Sequence, residues 1–340
     1  MSKTTYDEPA TLRDVAEAAG VSIASASRAL AGRGDLSRET RARVVAAAER
    51  LGYERAGGGR GRPTTLDPRL IEFVLGSFDD AWTDAMTRGA REAAFAAGFD
   101  LVLTLERPDP SDDWPTRVAT RRPSGVIIGI ITPTVRQLAE LQGLRIPVVL
   151  LDPRSDPGGA LPSVGTTDWQ GGYDAGVHLS HCAYDRFAVV TGVPQYRFGR
   201  GREEGFRAAI EEHRPGATVT HVNSEWSQAP LTEALVRPFA TDSSPIGVFA
   251  CNDEMALAVY RVAFMLGRKI PDEIGVVGFN NEARAAAASP PLSSVNQPLT
   301  AMAARAVELV RELRYHDAPP YERVELGTDL IVRSSTRSAP

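Results

Sequence analysis

The sequence predicts an α/β protein in which a small head of three helices precedes a body with two parallel β-sheets. A run of short helices near the N-terminus and a break rich in glycine and proline at residues 56–68 predict the head and its boundary. Beyond the break, apolar runs of strand length alternate with amphipathic helical patterns. About ten such strands over roughly 270 residues fit two sheets better than one, and 340 residues exceed one ordinary core.

The segment 11–30 predicts two short helices joined by a tight turn, which is the layout of a helix-turn-helix DNA reader. Thr11 stands where a helix N-cap is expected, and Asp14 follows three residues later, close to the capping-box pattern. Gly20 permits the reversal of the backbone between the helices. Ser22 can cap the second helix by accepting a hydrogen bond from a backbone N–H three residues on.

A third amphipathic helix is predicted over residues 37–51, where it would close a small core with the first two helices. The residues expected in this core are Val15, Ala16, Ala19, Val44, Val45, Ala48 and Leu51. The first pair of helices alone could be an ordinary alanine-rich hairpin. Three capped helices with serines and an arginine on the second one favour DNA binding.

Charge divides the chain into a basic head and an acidic body. Residues 1–63 hold 11 Lys and Arg against 8 Asp and Glu, whereas the rest holds 27 against 35, and the net charge is −5. This asymmetry fits a nucleic-acid module attached to a body that does not bind nucleic acid. The two cysteines form no framework, and neither a signal peptide nor an apolar run of roughly 18 residues is seen. We therefore expect a cytoplasmic protein without a membrane segment.

The body is predicted to alternate strands and helices. Strands are expected at 70–75, 100–105, 125–131, 147–151, 187–191, 218–223, 246–250, 274–279 and 323–332. Helices are expected at 82–97, 135–141, 171–181, 202–213, 253–266 and 299–314. Near-continuous apolar strands between amphipathic helices indicate parallel sheets that are covered on both faces. Ligands of such sheets bind beyond the carboxyl ends of the strands or between lobes.

Specific motifs follow one another in a fixed order along nearly the whole chain. They are, in the head, Thr11-Leu12-Arg13-Asp14-Val15-Ala16, Ala19-Gly20-Val21-Ser22, Ser27-Arg28, Leu30, Thr40-Arg41, Val44, Ala47-Ala48 and Leu51-Gly52-Tyr53, and, in the body, Arg202, Gly205-Phe206, Asn252-Asp253, Ala256-Leu257, Ile274-Gly275-Val276-Val277-Gly278-Phe279-Asn280, Pro290-Pro291-Leu292, Val295 and Gln297-Pro298. In these motifs the chain resembles the lac repressor family of bacterial transcription regulators. The resemblance implies a DNA-binding head joined to a two-lobed, periplasmic-binding-protein-like domain whose cleft binds a small effector, commonly a sugar.

The resemblance also implies roles for residues of the head. Ile23, Ala24 and Arg28 match the positions that face base edges. Arg28 could donate two hydrogen bonds to guanine, whereas the other two could only make apolar contacts, for example with a thymine methyl group. Positions that hold phosphates are matched by Thr11, Ser22, Ser25 and Ser27. The alternative for Ser27 and Arg28 is solvated helix surface.

The linker departs from the family, whose hinge is a short helix with a leucine that enters the minor groove. Here the aligned residues 56–63 contain four glycines and no leucine, and each glycine costs a helix about 1 kcal/mol relative to alanine. The run Arg60-Gly61-Arg62-Pro63 resembles the core of an AT-hook, which lies extended in a narrow A·T minor groove with its arginines inserted. The alternative is a flexible basic spacer that contacts only phosphates.

Candidate effector-binding residues lie where strands end or helices begin. They are Asp80, Trp82, Asp168, Trp169, Arg202, Asn252, Asp253 and Asn280. Asx side chains, an arginine and aromatic rings suit a hydroxyl-rich ligand, although Arg202 could equally bind a carboxylate or phosphate and Asp253 could instead cap a helix. Asn280 stands where the family often has aspartate, and Thr167-Asp168 stands where Asp-Asn is common.

No enzyme or metal site is predicted, and no cofactor is expected. In Gly199-Arg200-Gly201-Arg202 the next glycine comes one residue too late for a dinucleotide fingerprint, and no strand leads into the turn. The cluster of His178, His181 and Cys182 lacks a fourth ligand at a suitable spacing. Neither a phosphate-binding loop nor a nucleophile elbow is present in the sequence.

These observations predict a homodimeric repressor that binds a pseudo-palindromic operator in double-stranded DNA and responds to a small effector. The expected domains are the head at 1–55, the hinge linker at 56–68 and the effector-binding and dimerisation domain at 69–340, with lobe 1 at about 69–183 and 293–320 and lobe 2 at about 184–292 and 321–336. The alternatives are a sugar-binding transport protein, a sugar-processing enzyme with the same body and an architectural binder of A·T-rich DNA.

Overall fold

A computed structural model describes residues 11–30, 37–51, 68–107, 113–156, 161–227, 229–315 and 323–338. The chain forms two compact units, Met1–Leu66 and Asp67–Pro340. We refer to them as the head and the body and describe each by itself.

The head contains three helices whose ends are capped as the sequence predicts. They are α1 (Leu12–Ala18), α2 (Ile23–Leu30) and α3 (Arg38–Arg50). Thr11 and Asp14 form a reciprocal capping box at the start of α1. Gly20 has a φ of +65°, in the left-handed region that the turn requires. The hydroxyl of Ser22 accepts a hydrogen bond of 3.1 Å from the N–H of Ser25, which confirms the predicted cap of α2.

The core of the head differs from the prediction along α3. The buried residues are Val15, Ala16, Ala19, Ala26, Ala29, Val44, Ala47 and Ala48. Val45 and Leu51 are each 39% exposed, so their assignment to the core was wrong. The buried stripe of α3 passes through residues 44, 47 and 48, and Val45 is turned about 100° away from it. Leu51 lies beyond the last residue of the helix.

Twelve strands and nine helices are described in the body. The strands are β1 (Leu70–Leu75), β2 (Asp100–Leu105), β3 (Gly125–Gly129), β4 (Val148–Leu151), β5 (Ser163–Thr166), β6 (Arg186–Val193), β7 (Val219–Glu225), β8 (Ile246–Ala250), β9 (Ile274–Asn280), β10 (Ser293–Asn296), β11 (Arg323–Leu326) and β12 (Asp329–Ile331). The helices are α4 (Ala81–Ala96), α5 (Trp114–Arg121), α6 (Val135–Gly143), α7 (Asp168–Ser180), α8 (Arg197–His213), α9 (Glu233–Ala240), α10 (Asp253–Met265), α11 (Ala283–Ala287) and α12 (Leu299–Tyr315).

The strands form two six-stranded sheets, one in each lobe. The sheet of lobe 1 has the order β11-β5-β4-β3-β1-β2, and all of its strands are parallel. The sheet of lobe 2 has the order β12-β10-β9-β8-β6-β7, and only β12 is antiparallel to its neighbour. Two predominantly parallel sheets confirm the predicted fold class. Two separate apolar clusters cover the sheet of lobe 1, and one large cluster covers the sheet of lobe 2.

The strand pairing corrects the predicted lobe boundaries. The segment 323–332 is not one strand, because β11 pairs with β5 in lobe 1 whereas β12 pairs with β10 in lobe 2. For the same reason, β10 belongs to lobe 2 although residues 293–320 were assigned to lobe 1. The chain therefore passes between the lobes three times, between β5 and β6, between β10 and α12, and between β11 and β12.

Helices α7 and α8 cross at a backbone-to-backbone distance that only glycine permits. A Cβ atom on Gly205 would lie 1.9 Å from the carbonyl oxygen of Trp169, and one on Gly172 would lie 2.0 Å from the carbonyl oxygen of Arg202. This crossing holds the first residue of α7, Asp168, beside the first turns of α8.

None of the helices in the described parts of the chain combines the length and the apolar character that a membrane span requires.

Candidate functional site

A cleft of about 1190 Å³ lies between the two lobes of the body. Its lining comes from the carboxyl ends of β1, β3 and β4 in lobe 1 and of β6, β7, β8 and β9 in lobe 2. Parallel sheets bind ligands at this edge, because the loops that follow the strands converge there. The position agrees with the expectation from the sequence.

An aromatic cluster forms part of the wall of the cleft on lobe 2. The ring of Trp226 stacks on Tyr196 with 5.6 Å between centroids and meets Phe198 edge-on at 4.9 Å. The indole N–H of Trp226 donates to the carbonyl of Pro194 at 2.8 Å, which fixes the ring. These three aromatic residues follow β6 and β7 and were not predicted, because no motif in the sequence marks these loops. Trp82, which was predicted, lines the cleft from lobe 1.

Arg202 lines the cleft, but its charge is already neutralised. Its Nε atom donates to Oδ1 of Asp168 at 2.9 Å, its Nη1 atom donates to the carbonyl of Cys251 at 2.8 Å, and both members of the ion pair are buried. The guanidinium also lies 3.7 Å from the centroid of the Phe279 ring. Arg202 is therefore held by protein groups on several sides, and its positive charge is not free to bind a phosphate or a carboxylate.

Three predicted polar residues, Asp80, Asn252 and Asn280, line the cleft. Asp80 and Asn252 cap α4 and α10, where their side chains accept backbone hydrogen bonds of 2.8 Å. Asn280 ends β9 with a φ of +100°, a region of backbone conformation that few residues other than glycine adopt. The first two side chains thus have a structural role as well as a place in the cleft.

Three predicted residues, Asp168, Trp169 and Asp253, do not line the cleft. Asp253 is fully buried behind the cleft, where it accepts hydrogen bonds from the hydroxyl of Ser294 (2.6 Å) and the N–H of Glu282 (2.7 Å). It does not cap α10, since Asn252 does so. Trp169 is 45% exposed and stacks on Tyr173 at the border of a different pocket. Asp168 borders that same pocket and reaches the cleft only through its ion pair with Arg202.

Several polar atoms of residues that line the cleft are buried and have no hydrogen-bond partner in the described structure. Two of them are donors, Nε1 of Trp82 and Nε of Arg154, and three are acceptors, Oδ1 of Asp152, Oδ1 of Asn280 and Oε1 of Gln297. Buried polar atoms are rarely left unpaired, so a group of them around one cavity indicates ligand contacts. A mixture of donors and acceptors suits hydroxyl groups, which are both.

The charges around the cleft are predominantly negative. The acidic residues of its lining are Asp79, Asp80, Asp152, Glu225, Glu254 and Glu282, and the basic ones are Arg154, Arg202 and Arg284. Arg284 forms ion pairs with Glu254 and Glu282. The guanidinium of Arg154 lies 4.7 Å from the centroid of the Tyr196 ring. An anionic ligand would therefore meet repulsion that an uncharged one avoids.

Asp152 is a buried carboxyl group in a network between the lobes. Its Oδ2 atom accepts a hydrogen bond of 3.2 Å from Gln297, which also donates to Thr166 at 3.3 Å. Burial, and after it the nearby charge of Asp168, raise the pKa of Asp152, whereas Arg202 and the hydrogen bond from Gln297 lower it, and together these effects bring the pKa to about 7. The folded protein thus binds a proton at Asp152 that the unfolded chain releases near pH 4.

We expect Asp152→Asn to stabilise the body more at pH 8 than at pH 5. The raised pKa of Asp152 in the folded state contributes stability that is fully present below pH 4 and is lost as the pH rises towards 7. An asparagine amide does not ionise, so the variant avoids this loss. Thermal unfolding should show a melting temperature about 3 °C or more above the parent at pH 8 and a smaller difference at pH 5. The exposed Asp100→Asn serves as the control. An equal shift at both pH values would contradict the prediction.

The cluster of histidines and a cysteine noted in the sequence lies at the end of α7. Nε2 of His178 is 2.8 Å from the hydroxyl oxygen of Thr336, and the thiol of Cys182 donates to the carbonyl of His178 at 3.1 Å. Within the described residues, no three His, Cys, Asp or Glu side chains come together in a way that could hold a metal ion.

In the head, α2 presents the predicted base-reading residues to solvent. Ile23, Ala24 and Arg28 are exposed, and Ile23 is 49% exposed although it is apolar. Of the predicted phosphate contacts, Thr11 and Ser22 are exposed at the starts of α1 and α2, while Ser25 and Ser27 are half-buried. Arg60 and Arg62 of the linker lie outside the described residues.

Comparison with known proteins gives matches to both units. Residues 11–56 match the model of bacterial regulatory proteins of the lacI family, and residues 177–336 match a periplasmic binding protein-like domain. The HTH-type transcriptional regulator reg1 of Streptomyces lividans is 31% identical over 345 residues and covers 97% of each chain. Two solved structures are similar in fold. A CelR–cellobiose complex has a TM-score of 0.67 at 24% identity, covering 96% of this chain and 99% of that one. A lac repressor dimer bound to operator and the anti-inducer ONPF has a TM-score of 0.69 at 21% identity, covering 97% and 100%.

Proposed function

The chain belongs to the lacI family of bacterial regulatory proteins, and on this premise we propose that it represses transcription under the control of an uncharged, hydroxyl-rich effector. The observation that carries this proposal is the set of unpartnered donors and acceptors around the cleft. The effector class is a sugar or a sugar derivative. The cellobiose in the CelR complex supports this choice.

Three features of the cleft support an uncharged effector over a phosphorylated one. The guanidinium groups of Arg202 and Arg284 are already engaged by carboxylates. The remaining acidic side chains leave the lining negative. Trp82, Tyr196 and Trp226 line the cleft, and aromatic surface suits the C–H groups of a sugar ring without requiring any charge.

On the DNA side, we propose that α2 of the head enters the major groove. Arg28 would donate to guanine, Ile23 and Ala24 would make apolar contacts, and the hydroxyls of the four predicted phosphate contacts, Thr11, Ser22, Ser25 and Ser27, would fix the register. Arg60 and Arg62 are proposed to enter or approach the minor groove from the linker. The boundaries 1–55, 56–68 and 69–340 remain our proposal for the domains.

We propose a homodimer, because a pseudo-palindromic operator needs two heads and the body exposes large apolar side chains in both lobes. Phe95 and Leu103 in lobe 1 are 84% and 42% exposed, and Phe264 and Met265 in lobe 2 are 90% and 52% exposed. The lac repressor dimer on its operator is a precedent for this assembly. Such a protein acts in the cytoplasm, where its DNA is, and needs neither catalysis nor a cofactor.

An operator selected from random duplex DNA allows both halves of the proposal to be tested with the full chain. We expect one or more neutral sugars to raise the melting temperature and to change operator affinity by about 5–150-fold, whereas phosphorylated forms of the same sugars should not act through the cleft. Arg28→Ala should weaken operator binding by about 10–100-fold and leave binding to unrelated DNA unchanged. Arg136→Ala, on an exposed turn of α6, is the control.

The alternatives predict other outcomes of the same experiment. Turnover of a sugar would support the enzyme, and sugar binding without any operator would support the transport protein. An architectural binder of A·T-rich DNA would show no thermal shift with any sugar. Equal loss of affinity for operator and unrelated DNA in the Arg28 variant would exclude base reading by this side chain.

A further inference from the structure

A second pocket in the body, outside the cleft, brings three arginines together. We call it the arginine pocket and define it by Arg197, Arg200 and Arg323 with Glu325, Asp168 and Trp169. Its volume is about 510 Å³. Arg197 and Arg200 come from the start of α8 in lobe 2, whereas Arg323 and Glu325 come from the edge strand β11 of lobe 1. The pocket thus has walls from both lobes.

We propose that the arginine pocket binds a small phosphate monoester that also carries hydroxyl groups, such as a phosphorylated sugar. The proposal is independent of the operator and of the effector in the cleft. The pocket combines three guanidinium groups, a buried acceptor without a partner among the described residues and an exposed aromatic ring.

Of the three guanidinium groups that line the pocket, two share one carboxylate, and Arg200 has no ion pair among those described. Oε1 of Glu325 is shared by two arginines, with Nη2 of Arg197 at 3.0 Å and Nε of Arg323 also at 3.0 Å. Among the described residues, Nη1 of Arg200 donates to the backbone carbonyl of Gln195 at 2.9 Å. One further acid, Glu204, lines the pocket, but it is exposed and has no ion pair among those described. A phosphate is the ligand that several guanidinium groups recognise best, through charge-assisted hydrogen bonds.

The start of α8 adds to this positive field. A helix N-terminus carries partial positive charge and ordinarily has acidic residues in its first turn, yet α8 has none there and begins with Arg197. Its N-cap, Tyr196, makes no capping hydrogen bond through its side chain. Arginines at this position repel the helix dipole, and an anion would relieve the repulsion.

The acceptor is the carboxylate of Asp168, which lines the same pocket. Oδ1 of Asp168 pairs with Arg202, but Oδ2 is buried without a hydrogen-bond partner among the described residues. A phosphate oxygen cannot satisfy Oδ2, since both are acceptors, whereas a ligand hydroxyl can donate to it. This atom therefore indicates a ligand with hydroxyl groups in addition to the phosphate.

The aromatic face belongs to Trp169. Its ring stacks on Tyr173 with 5.2 Å between centroids and 16° between planes. Trp169 is 45% exposed at the border of the pocket. Asp168 links the pocket to the cleft through its ion pair with Arg202. A ligand that contacts Arg200 and Arg323 at once would connect the two lobes, so it is placed to alter their closure.

The test uses ribose 5-phosphate as the probe, with ribose and inorganic phosphate as comparisons, on the full chain. Calorimetry should show ribose 5-phosphate binding at least about tenfold more tightly than either comparison. Arg200→Gln and Arg323→Gln should each weaken this binding by about tenfold, whereas Arg136→Gln should not change it. Binding should quench or enhance the tryptophan fluorescence of the parent and of Trp226→Phe, but not that of Trp169→Phe.

Each contrary result overturns the proposal. Absence of ribose 5-phosphate binding at millimolar concentration would do so, as would equal binding of ribose. Binding that is insensitive to Arg200→Gln and Arg323→Gln, with a fluorescence change that depends on Trp226, would place the ligand in the cleft instead. That last result would also contradict the proposal that the effector in the cleft is uncharged. Loss of ribose 5-phosphate binding in the arginine variants would support the arginine pocket and would leave the proposal for the cleft unchanged.

Discussion

Replacing Gly205 with alanine is expected to destabilise the body by about 3 kcal/mol, although the same change stabilises many helices. The added Cβ would lie 1.9 Å from the carbonyl oxygen of Trp169 and 2.9 Å from the N–H nitrogen of Tyr173. Both are backbone atoms, so no side chain can rotate away, and α7 and α8 must separate. Urea unfolding of the full chain, followed by circular dichroism, measures the loss.

The matched control is Gly143→Ala at the end of α6, where a Cβ atom meets no other atom within 4 Å. It should be neutral or stabilising by about 0.5–1 kcal/mol, because alanine loses less backbone entropy on folding. If the two variants had the same stability, the close crossing of α7 and α8 would not be required. The crossing also sets the position of Asp168 beside Arg202, so Gly205→Ala should weaken effector binding as well.

Local signals in the sequence were sufficient for the head. Thr11, Asp14 and Ser22 make the hydrogen bonds that their spacing predicts, and Gly20 has the backbone conformation that the turn requires. Each of these interactions joins residues within one helical turn, so no knowledge of the rest of the fold is needed. Helix phase was predicted less well, because Val45 was placed in the core on its helical spacing with Ala48 but is 39% exposed.

In the body, the sequence predicts the positions of strands and helices better than it predicts which strands pair. The long apolar strands were found, whereas β5 and β10 were missed because each has four residues, of which only one, a valine, is a large apolar residue. They are strands because neighbouring strands bind them on both sides, which is not visible locally. The same limit explains the error at 323–332, where Gly327 and Thr328 separate two strands of different sheets.

The candidate site shows the same division between local and tertiary information. Residues at strand ends, such as Asp80, Asn252 and Asn280, reach the cleft because all parallel strands end at that edge. Asp253 was also predicted but is buried behind the cleft, because it follows the cleft residue Asn252 on α10 and successive residues of a helix face different directions. Asp168 and Trp169 begin α7 and both border the other pocket. The aromatic residues Tyr196 and Trp226 could be assigned only once β6 and β7 were known to be neighbours.

The second large effect concerns Arg202, whose replacement by methionine should destabilise the body by about 3–5 kcal/mol at pH 8. Methionine keeps much of the packing against Phe279 but leaves the buried carboxylate of Asp168 without its counter-charge. Burial already raises the pKa of Asp168 above its usual range, and Arg202 is the main group that lowers it. In the variant the pKa of Asp168 rises further, so Asp168 takes up a proton as the pH falls. The loss of unfolding free energy should therefore be smaller at pH 5.5 than at pH 8.

The double variant Asp168→Asn with Arg202→Met separates charge from packing. If the unpaired carboxylate causes the loss, the double variant should recover most of the stability, and its unfolding free energy should no longer depend on pH through this site. Arg88→Met, which breaks an exposed ion pair with Asp84, should change stability by less than about 0.5 kcal/mol. An equal, pH-independent loss in the single and double variants would instead assign the effect to packing on Phe279. In that case Arg202 would be a structural side chain, and its neutralised charge could no longer explain why the cleft prefers an uncharged effector.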